Sequence, residues 1–162
     1  MKTVLFVCAA NVCRSPMAEA IFDALAEDAG LPFRARSAGL AALEGAGVAP
    51  RAAETLAEIG VGVNPRHLAR QVSEEMVSEA ELVLTMTEQQ AEDLRRLFSG
   101  YAGKIHPIAR HAGDGLGADV SDPYGHAGIA YRASVRQLLG YMEPLISDLK
   151  ALAQQPRNEP SR

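Results

Sequence analysis

The segment CAANVCRS, residues 8–15, decides how the N-terminal part of this chain folds. It directly follows the apolar run VLFV, residues 4–7, and Pro16 comes immediately after it. A short apolar run predicts a buried strand. Pro is favoured in the first turn of a helix, because its fixed φ suits the helix and its missing N–H costs nothing there. We therefore predict a strand, a tight loop and a helix in direct succession.

Three side chains of this loop indicate chemistry on a phosphate group. Backbone N–H groups and the positive end of a helix dipole attract an anion to a loop that opens a helix, and they also stabilise a thiolate at Cys8. Arg14 can bind phosphate oxygens in a bidentate manner that Lys cannot copy, and Ser15 stands where its hydroxyl can donate to the sulfur of Cys8. The alternative for Cys8 is a small buried residue after a strand, but an inert thiol needs no cation beside it.

The size and composition are those of an ordinary globular protein. The chain has 162 residues, of which 48% are hydrophobic and 22% charged. This length predicts a single domain over residues 1–153, followed by a polar tail over 154–162. No apolar stretch approaches the ~20 residues of a membrane helix, and the run at 4–7 is too short for a secretory signal. We therefore expect no membrane interaction and a cytoplasmic location.

Charge and metal-ligand spacing exclude other classes. A formal net charge of −4 leaves no general basic field, so we expect no nucleic-acid partner. Cys8 and Cys13 are the only cysteines, and two thiols in one segment cannot staple a fold of this size. The four histidines lack the spacing of a metal site. We expect neither a metal nor a cofactor.

Strand and helix patterns alternate along the rest of the chain. Strands are predicted over 3–7, 33–38, 82–84 and 104–108, and Gly100-Tyr101-Ala102-Gly103 is predicted to be a loop. Helices are predicted to begin near 16, 50, 73, 87 and 130, with Ser73 and Thr87 as N-caps. The last helix follows a Gly-rich loop over 113–128, and its apolar face consists of Ala130, Val135, Leu138, Leu139, Met142 and Leu145. This order predicts a three-layer flavodoxin-like α/β fold, with a central parallel four-stranded sheet flanked by helices. Cys8 would lie at the carboxyl end of the first strand, where such sheets bind ligands.

The chain resembles the low-molecular-weight protein tyrosine phosphatases, on motifs that run in that family's order through nearly the whole sequence. Cys-x5-Arg alone is shared by unrelated phosphatases, whereas its N-terminal placement and a late Asp-Pro pair are specific to this family. The motifs are Cys8-x5-Arg14-Ser15-Pro16, Met17-Ala18-Glu19, Ser37-Ala38-Gly39, His67-Leu68-Ala69-Arg70-Gln71 and Asp122-Pro123-Tyr124.

The resemblance implies a catalytic set. Cys8 would be the nucleophile, Arg14 would hold the phosphate and the transition state, and Asp122 would protonate the leaving oxygen and then activate water against the phosphocysteine. Asp119, three residues earlier, is the main rival for the acid. The substrate would be a phosphorylated protein, and inorganic phosphate would be both product and inhibitor.

The resemblance also implies residues that bind phosphate or support the loop. Residues 9–15 would surround the phosphate: Ala9, Ala10, Asn11, Val12, Cys13, Arg14 and Ser15. Asn11 tolerates a left-handed backbone and would act with Ser37 and His67 to fix the shape of the loop. The alternative for His67 is an ordinary exposed loop histidine. Ala10 stands where most family members have Gly, so it would be strained if that position required a positive φ.

Cys13 suggests a redox role, as in the family. Under oxidant, a sulfenic acid on Cys8 could condense with Cys13 to a reversible disulfide that protects the nucleophile. The alternative is that Cys13 is simply a small packed side chain.

Four functions compete. A phosphotyrosine phosphatase needs apolar groups that grip a ring, and the resemblance offers Ala9, Val12, Leu43 and Tyr124. This chain also resembles the protein-arginine phosphatase branch of the family closely in its C-terminal half. That branch carries Thr at the position of Val12, so Val12 favours phosphotyrosine. Against this, Gly125 stands where many tyrosine-specific members have a second aromatic residue. An arsenate reductase with an internal relay would need cysteines after Cys13, and there are none, whereas a reductase that uses an external thiol is not excluded. A non-catalytic phosphate-binding module would lack the nucleophile or the acid, and both are present.

Overall fold

The computed structural model describes residues 1–111 and 117–155. At its centre lies a parallel sheet of four strands in the order β2-β1-β3-β4. The strands are β1 (Lys2–Cys8), β2 (Phe33–Gly39), β3 (Leu82–Thr85) and β4 (Ile105–Pro107). The α-helices of the described residues are α1 (Arg14–Asp28), α2 (Pro50–Glu58), α3 (Glu74–Glu79), α4 (Glu88–Leu97) and α5 (Gly128–Ala153). The predicted parallel sheet of four strands is confirmed.

Strand β1 has both faces buried, which makes the fold three layers thick. Val4 and Phe6 pack into the cluster that contains buried residues of α1 and α5. Leu5 and Val7 point the other way, into a cluster with buried residues of α3 and α4. Successive side chains of a strand alternate between faces, so an unbroken apolar run is what a strand between two helical layers requires.

The carboxyl end of β1 is where the topology opens a crevice. Strand β1 lies between β2 and β3, so the connections that leave β1 and β3 diverge, and ligands bind at such a point in parallel sheets. Met86 N donates to the carbonyl of Val7 at 3.1 Å, and Val120 N donates to the carbonyl of Met86 at 2.9 Å. These two bonds place the segment that contains Asp122 over this end of the sheet.

Helix α4 begins with the cap that the sequence predicts. The side-chain oxygen of Thr87 accepts from Gln90 N at 3.1 Å, and Gln90 Oε1 accepts from Thr87 N at 3.1 Å. Ser73 likewise caps α3 by accepting from Met76 N at 3.3 Å. Two orphan N–H groups of α4 are therefore satisfied locally.

Two local expectations differ from the structure. Leu139 was expected on the buried face of α5, but it is 39% exposed because it sits one position beyond Leu138 on the turning helix. The Gly-containing stretch after α4 forms a 3₁₀ helix over Ser99–Lys104 instead of an irregular loop.

Within the part of the chain that the structure describes, no helix is both long and apolar enough to cross a membrane. Residues 112–116 of the predicted Gly-rich loop, and 156–162 of the predicted tail, lie outside the described residues.

Candidate active site

The loop between β1 and α1 turns at Asn11, whose φ of 60° is the only positive value of a non-Gly residue in the described ranges. Asn tolerates this left-handed conformation better than most residues, since its short polar side chain can bond locally. The strain expected of Ala in place of Gly at position 10 does not arise, because the left-handed residue is Asn11 and not Ala10.

The backbone carbonyls of five consecutive loop residues all accept hydrogen bonds from outside the loop. The carbonyls of Cys8, Ala9 and Ala10 accept from the backbone N–H groups of Leu40, Ala41 and Leu43 at 2.9, 2.9 and 3.1 Å. The carbonyl of Asn11 accepts from His67 Nε2 at 2.9 Å, and that of Val12 accepts from Ala49 N at 2.9 Å. Because the carbonyls point outward, the inner side of the loop is left to N–H groups, which is the geometry of an anion-binding nest.

The close approach of the strand that follows depends on Gly39. This residue pairs with Cys8 at the end of the sheet, and a Cβ atom added to it would collide with the carbonyl oxygen of Ala9. Steric contact with the loop therefore explains why the third residue of the Ser37-Ala38-Gly39 motif is Gly.

The thiol of Cys8 is buried and faces two polar hydrogens. Its Sγ lies 2.9 Å from Ser15 Oγ, and Asn11 N donates to it at 3.3 Å. Asn11 Nδ2 donates to Ser15 Oγ at 2.9 Å, so the hydroxyl proton of Ser15 is directed elsewhere. Its nearest acceptor is Cys8 Sγ, since the carbonyl of Ala38 is 3.4 Å away. Both bonds stabilise negative charge on sulfur.

Asn11 is held through its side chain as well as its backbone. Nδ2 also donates to Ser37 Oγ at 3.0 Å, and Oδ1 accepts from Arg70 N at 3.1 Å. The structure thus brings together the three predicted supporting residues, Asn11, Ser37 and His67. His67 is 7% exposed, so it differs from an ordinary exposed loop histidine, and the nitrogen that faces the Asn11 carbonyl must carry a proton.

Glu19 lies behind Ser37, and the sequence alone did not reveal its place in the site. Ser37 Oγ donates to Glu19 Oε2 at 2.6 Å. Burial raises the pKa of Glu19 above its usual value, while the Ser37 hydroxyl and the charge of His67 act in the opposite direction. In the sequence, Glu19 is visible only as the third residue of the Met17-Ala18-Glu19 motif, and that motif does not reveal the contact with Ser37.

Arg14 and Asp122 meet at the mouth of the site. Arg14 is 6% exposed, and its Nη1 donates to the carbonyl of Val120 at 3.1 Å. Its Nη2 lies 3.6 Å from Asp122 Oδ2, and Asp122 Oδ1 accepts from Tyr124 N at 3.1 Å. The Asp122 carboxylate therefore makes a local turn and also faces the guanidinium. Its side chain is 53% exposed, which leaves it open to a bound molecule.

Asp119, the rival acid, is occupied in a different place. Its Oδ1 accepts from Glu88 N at 2.9 Å, at the start of α4, and its backbone carbonyl accepts from Gln137 Nε2 at 3.0 Å. It lines a separate cavity with Arg95 and His106. The Asp119 carboxylate thus serves the N-terminus of α4.

A cavity of about 50 Å³ opens above the thiol. Its lining residues are Cys8, Ala10, Val12, Cys13, Arg14, Asp122 and Tyr124. Asn11 and Ser15 act from below it through the bonds described above. Two of the residues expected to grip a ring are not among those that line it: Ala9 faces residue 41 with its carbonyl, and Leu43 is 47% exposed. Of the residues expected to grip a ring, Val12 and Tyr124 line the cavity.

Cys13 lines the same cavity and is a free thiol, as is Cys8. Its Sγ lies 3.6 Å from the hydroxyl of Tyr131 on α5. Burial raises the pKa of the Cys13 thiol, and the bond from Tyr131 opposes that rise. The two cysteines therefore differ in environment, since only Cys8 has the bond from Ser15. In residues 1–111 and 117–155 no group of three potential ligands is placed to hold a metal ion.

Fold and loop together define a class of protein: a doubly wound α/β protein whose first strand delivers a thiol to an anion-binding loop, with a guanidinium in the following helical turn. The family model of the low molecular weight phosphotyrosine protein phosphatases matches residues 3–155. The chain belongs to this family of phosphoester hydrolases.

Similar proteins include both branches of the family. The chain is 35% identical to the protein-arginine-phosphatase of Bacillus subtilis, over 91% of this chain and 96% of that protein. It is 41% identical to a low molecular weight protein-tyrosine-phosphatase of Streptomyces coelicolor, over 75% of this chain and 77% of the other. A YwlE arginine phosphatase structure, a cysteine-to-serine mutant with a phosphorylated active-site serine, superposes with a TM-score of 0.87 at 34% identity and covers 97% of this chain and 99% of its own. These similarities are consistent with the flavodoxin-like fold predicted from the sequence.

Proposed function

We propose that this protein hydrolyses phosphotyrosine in proteins, and small aryl phosphates, through a phosphocysteine intermediate on Cys8. The observation that carries the proposal is the loop whose five carbonyls point outward, leaving a thiol and inward N–H groups beneath a small cavity. Such a cavity binds the oxygens of a phosphoryl group while it presents sulfur to phosphorus.

In the first step, the Cys8 thiolate attacks phosphorus and the bond to the substrate oxygen breaks. Ser15 stabilises the thiolate before the attack, and Arg14 binds the equatorial oxygens as charge builds up on them. Asp122, exposed at the mouth, gives its proton to the leaving oxygen. The free phenol departs, and Asp122 is left as a carboxylate.

In the second step, that carboxylate takes a proton from a water molecule, whose oxygen attacks the phosphocysteine. The S–P bond breaks, Cys8 returns as a thiolate, and inorganic phosphate is released. Phosphate that occupies the same loop would compete with substrate. The phosphorylated active-site serine of the YwlE mutant supports covalent transfer to the loop residue in that relative.

The lining of the cavity favours an aryl substrate. Val12 offers only methyl groups, and the ring of Tyr124 is 56% exposed beside the opening. An aromatic leaving group could pack against both.

Phosphoarginine is the second candidate substrate. The similarity to arginine phosphatases extends over more of the chain than that to the Streptomyces tyrosine phosphatase, and Gly125 supplies no second ring beside Tyr124. Gly125 also has a φ of 77°, a conformation in which an aromatic residue would be strained.

One rate comparison decides between the two substrates. We expect a higher kcat/KM on a phosphotyrosine peptide than on a phosphoarginine peptide, with p-nitrophenyl phosphate as the small aryl reference. Val12→Thr, which keeps the shape and adds a hydroxyl, should shift the ratio toward phosphoarginine, and Val12→Ala should not. A much higher wild-type rate on phosphoarginine would overturn the phosphotyrosine assignment and leave the covalent mechanism intact.

A redox role for Cys13 belongs to the same proposal. Peroxide would oxidise the Cys8 thiolate to a sulfenic acid, and attack by the Cys13 sulfur would release water and form a disulfide that thiols reduce. Recovery of activity with thiol after peroxide should therefore be nearly complete in the wild type and poor in Cys13→Ser. Equal recovery in the two proteins would mean that Cys13 only packs in the loop.

Because the mechanism needs Cys8 as a free thiol, we place the protein in the cytoplasm.

A further inference from the structure

Beside the catalytic cavity lies a second, wider groove of about 550 Å³. One wall is the start of α2 at Pro50 and Arg51. The other is formed by Tyr124 and His126, in the segment that leads into α5, and by Tyr131 in the first turn of α5. We call this the Arg51 groove. It takes no part in the chemistry described above.

The Arg51 groove is continuous with the catalytic cavity. Tyr124 lines both. Ala49, at the start of the groove, donates its N–H to the carbonyl of Val12 at 2.9 Å, which fixes this wall against the phosphate loop. The hydroxyl of Tyr131 lies 3.6 Å from Cys13 Sγ in the same loop. A polypeptide that carries a phosphorylated side chain into the cavity must leave across a neighbouring surface, and this groove is adjoining space of sufficient volume.

Among the residues that line the groove, only Arg51 carries a formal charge at neutral pH. No Asp or Glu is among its lining residues, which include Arg51 and His126. Arg51 is exposed and forms no ion pair with the part of the chain that the structure describes. Arg51 and Tyr131 line the same groove. Burial raises the pKa of Tyr131 to about 12, and the positive charge of Arg51 opposes that rise while the negative charge of Asp122 adds to it.

The position of Arg51 does not serve its own helix. It lies in the first turn of α2, where a cation opposes the helix dipole, and that turn contains no acidic residue. Arg51 adds its field to that of the helix end instead of cancelling it. Both fields favour a negative group in the groove.

We infer that the Arg51 groove binds the polypeptide flanking the phosphorylated residue and that Arg51 selects an acidic side chain within a few residues of it. This inference rests on the proposed phosphatase function and adds a substrate class to it: phosphoproteins with Asp or Glu close to the phosphorylated position. The ring of Tyr124 packs against the backbone that passes from the cavity to the groove.

Two phosphotyrosine peptides that differ only in flanking Glu or Gln residues test the inference. The wild type should favour the Glu peptide in kcat/KM by about two- to fivefold at low salt, the size of an exposed charge pair. The ratio should fall to about one in Arg51→Gln and invert in Arg51→Glu. Raising the salt should weaken the wild-type preference, because exposed charges are screened. Rates on p-nitrophenyl phosphate, which has no flanking chain, normalise each variant.

Arg136→Gln is the matched control, because it removes the same charge from an exposed position of α5 that lines a different cavity. It should keep the wild-type ratio between peptides. An unchanged ratio in Arg51→Gln, or an equal loss of the ratio in Arg136→Gln, would overturn the inference.

Binding of the same two peptides with a non-hydrolysable phosphonate in place of phosphate gives a readout without turnover. If neither peptide nor p-nitrophenyl phosphate is hydrolysed but phosphonate binding still depends on Arg51 and on Glu, the phosphatase proposal is wrong and peptide recognition by the Arg51 groove is supported. If hydrolysis proceeds and binding does not depend on Arg51, only the proposal of peptide recognition is wrong. Thermal melts of Arg51→Gln confirm that any loss concerns recognition and not folding.

Discussion

Asn11 shows how much of the site depends on one residue. Its backbone takes the left-handed conformation, and its backbone N–H donates to Cys8 Sγ. Its side-chain Nδ2 donates to the hydroxyls of Ser15 and Ser37. Gly would supply the turn without the side-chain bonds, and Ala would supply neither. Asn is therefore the residue that combines the backbone shape with the position of the thiol.

The division of work between Asp122 and Asp119 can be tested at the same scale. Asp122→Asn removes the proton that the leaving oxygen needs, so kcat on phosphotyrosine should fall by about 10²- to 10⁴-fold. The loss should be smaller on p-nitrophenyl phosphate, because its leaving group departs without protonation. Asp119→Asn should leave both rates nearly unchanged and lower the melting temperature slightly, since its carboxylate accepts from the start of α4. Steady-state kinetics with both substrates check this, and an equal loss in the two variants would contradict the assignment.

Individual residues differ in how far sequence reveals their place. Cys8, Arg14 and Ser15 lie within one segment, so local geometry is enough to predict that they converge. His67 and Glu19 depend on contacts between elements that are distant in the chain, and nothing in their immediate neighbours indicates burial. Leu43 was expected to line the cavity, but its side chain points to solvent while its backbone N–H serves the loop.

Among the elements, the junction of β2 with the phosphate loop is the most sterically constrained. We expect Gly39→Ala to destabilise the protein by about 1–3 kcal/mol, because the added methyl group would push the carbonyl of Ala9 and with it the loop. Phosphate affinity should fall with it. Urea denaturation and phosphate titration measure the two effects.

Gly47→Ala is the control for that prediction. A Cβ atom there meets nothing within 4 Å, and the residue lacks a positive φ. The free energy of unfolding should stay within about 0.5 kcal/mol of the wild type or rise slightly. Equal losses in the two variants would mean that glycine flexibility, and not the contact with the loop, matters at position 39.

Regular elements were predictable because their causes are local. The apolar run of β1, Pro50 at the start of α2 and the Thr87 cap of α4 are visible in a few neighbouring letters. The 3₁₀ helix over Ser99–Lys104 was not, since its glycines suggest a loop. The outward carbonyls of the phosphate loop could not be foreseen either, because their donors come from three separate segments.

For the whole molecule, the partly buried Glu19 predicts a pH dependence of stability. Burial raises its pKa in the folded state above the usual 4.5, so the native protein retains a proton that the unfolded chain releases. The free energy of unfolding therefore falls as pH rises from about 4.5 through the folded-state pKa. Below that window the effect is absent, and above it the full cost is present.

Glu19→Gln removes this titration while its amide oxygen can still accept from Ser37. The variant should be more stable than the wild type at pH 7.5, and the difference should vanish near pH 4. Urea denaturation at several pH values measures it, and Asp23, whose pKa burial also raises, titrates in both proteins. A difference independent of pH would refute the assignment to Glu19.

The ties of Asn11 also bear on how the molecule folds. Ser37, His67 and the backbone of Arg70 lie 26, 56 and 59 residues further along the chain. Contacts at such separations form only after the intervening segments have closed, so the N-terminal segment cannot take its binding shape while it is the only part made. We expect the thiol to remain an ordinary cysteine in a nascent or partly unfolded chain. The measured activity is then proportional to the number of completely folded molecules. A truncated chain that ends before residue 67 would not hydrolyse phosphorylated proteins.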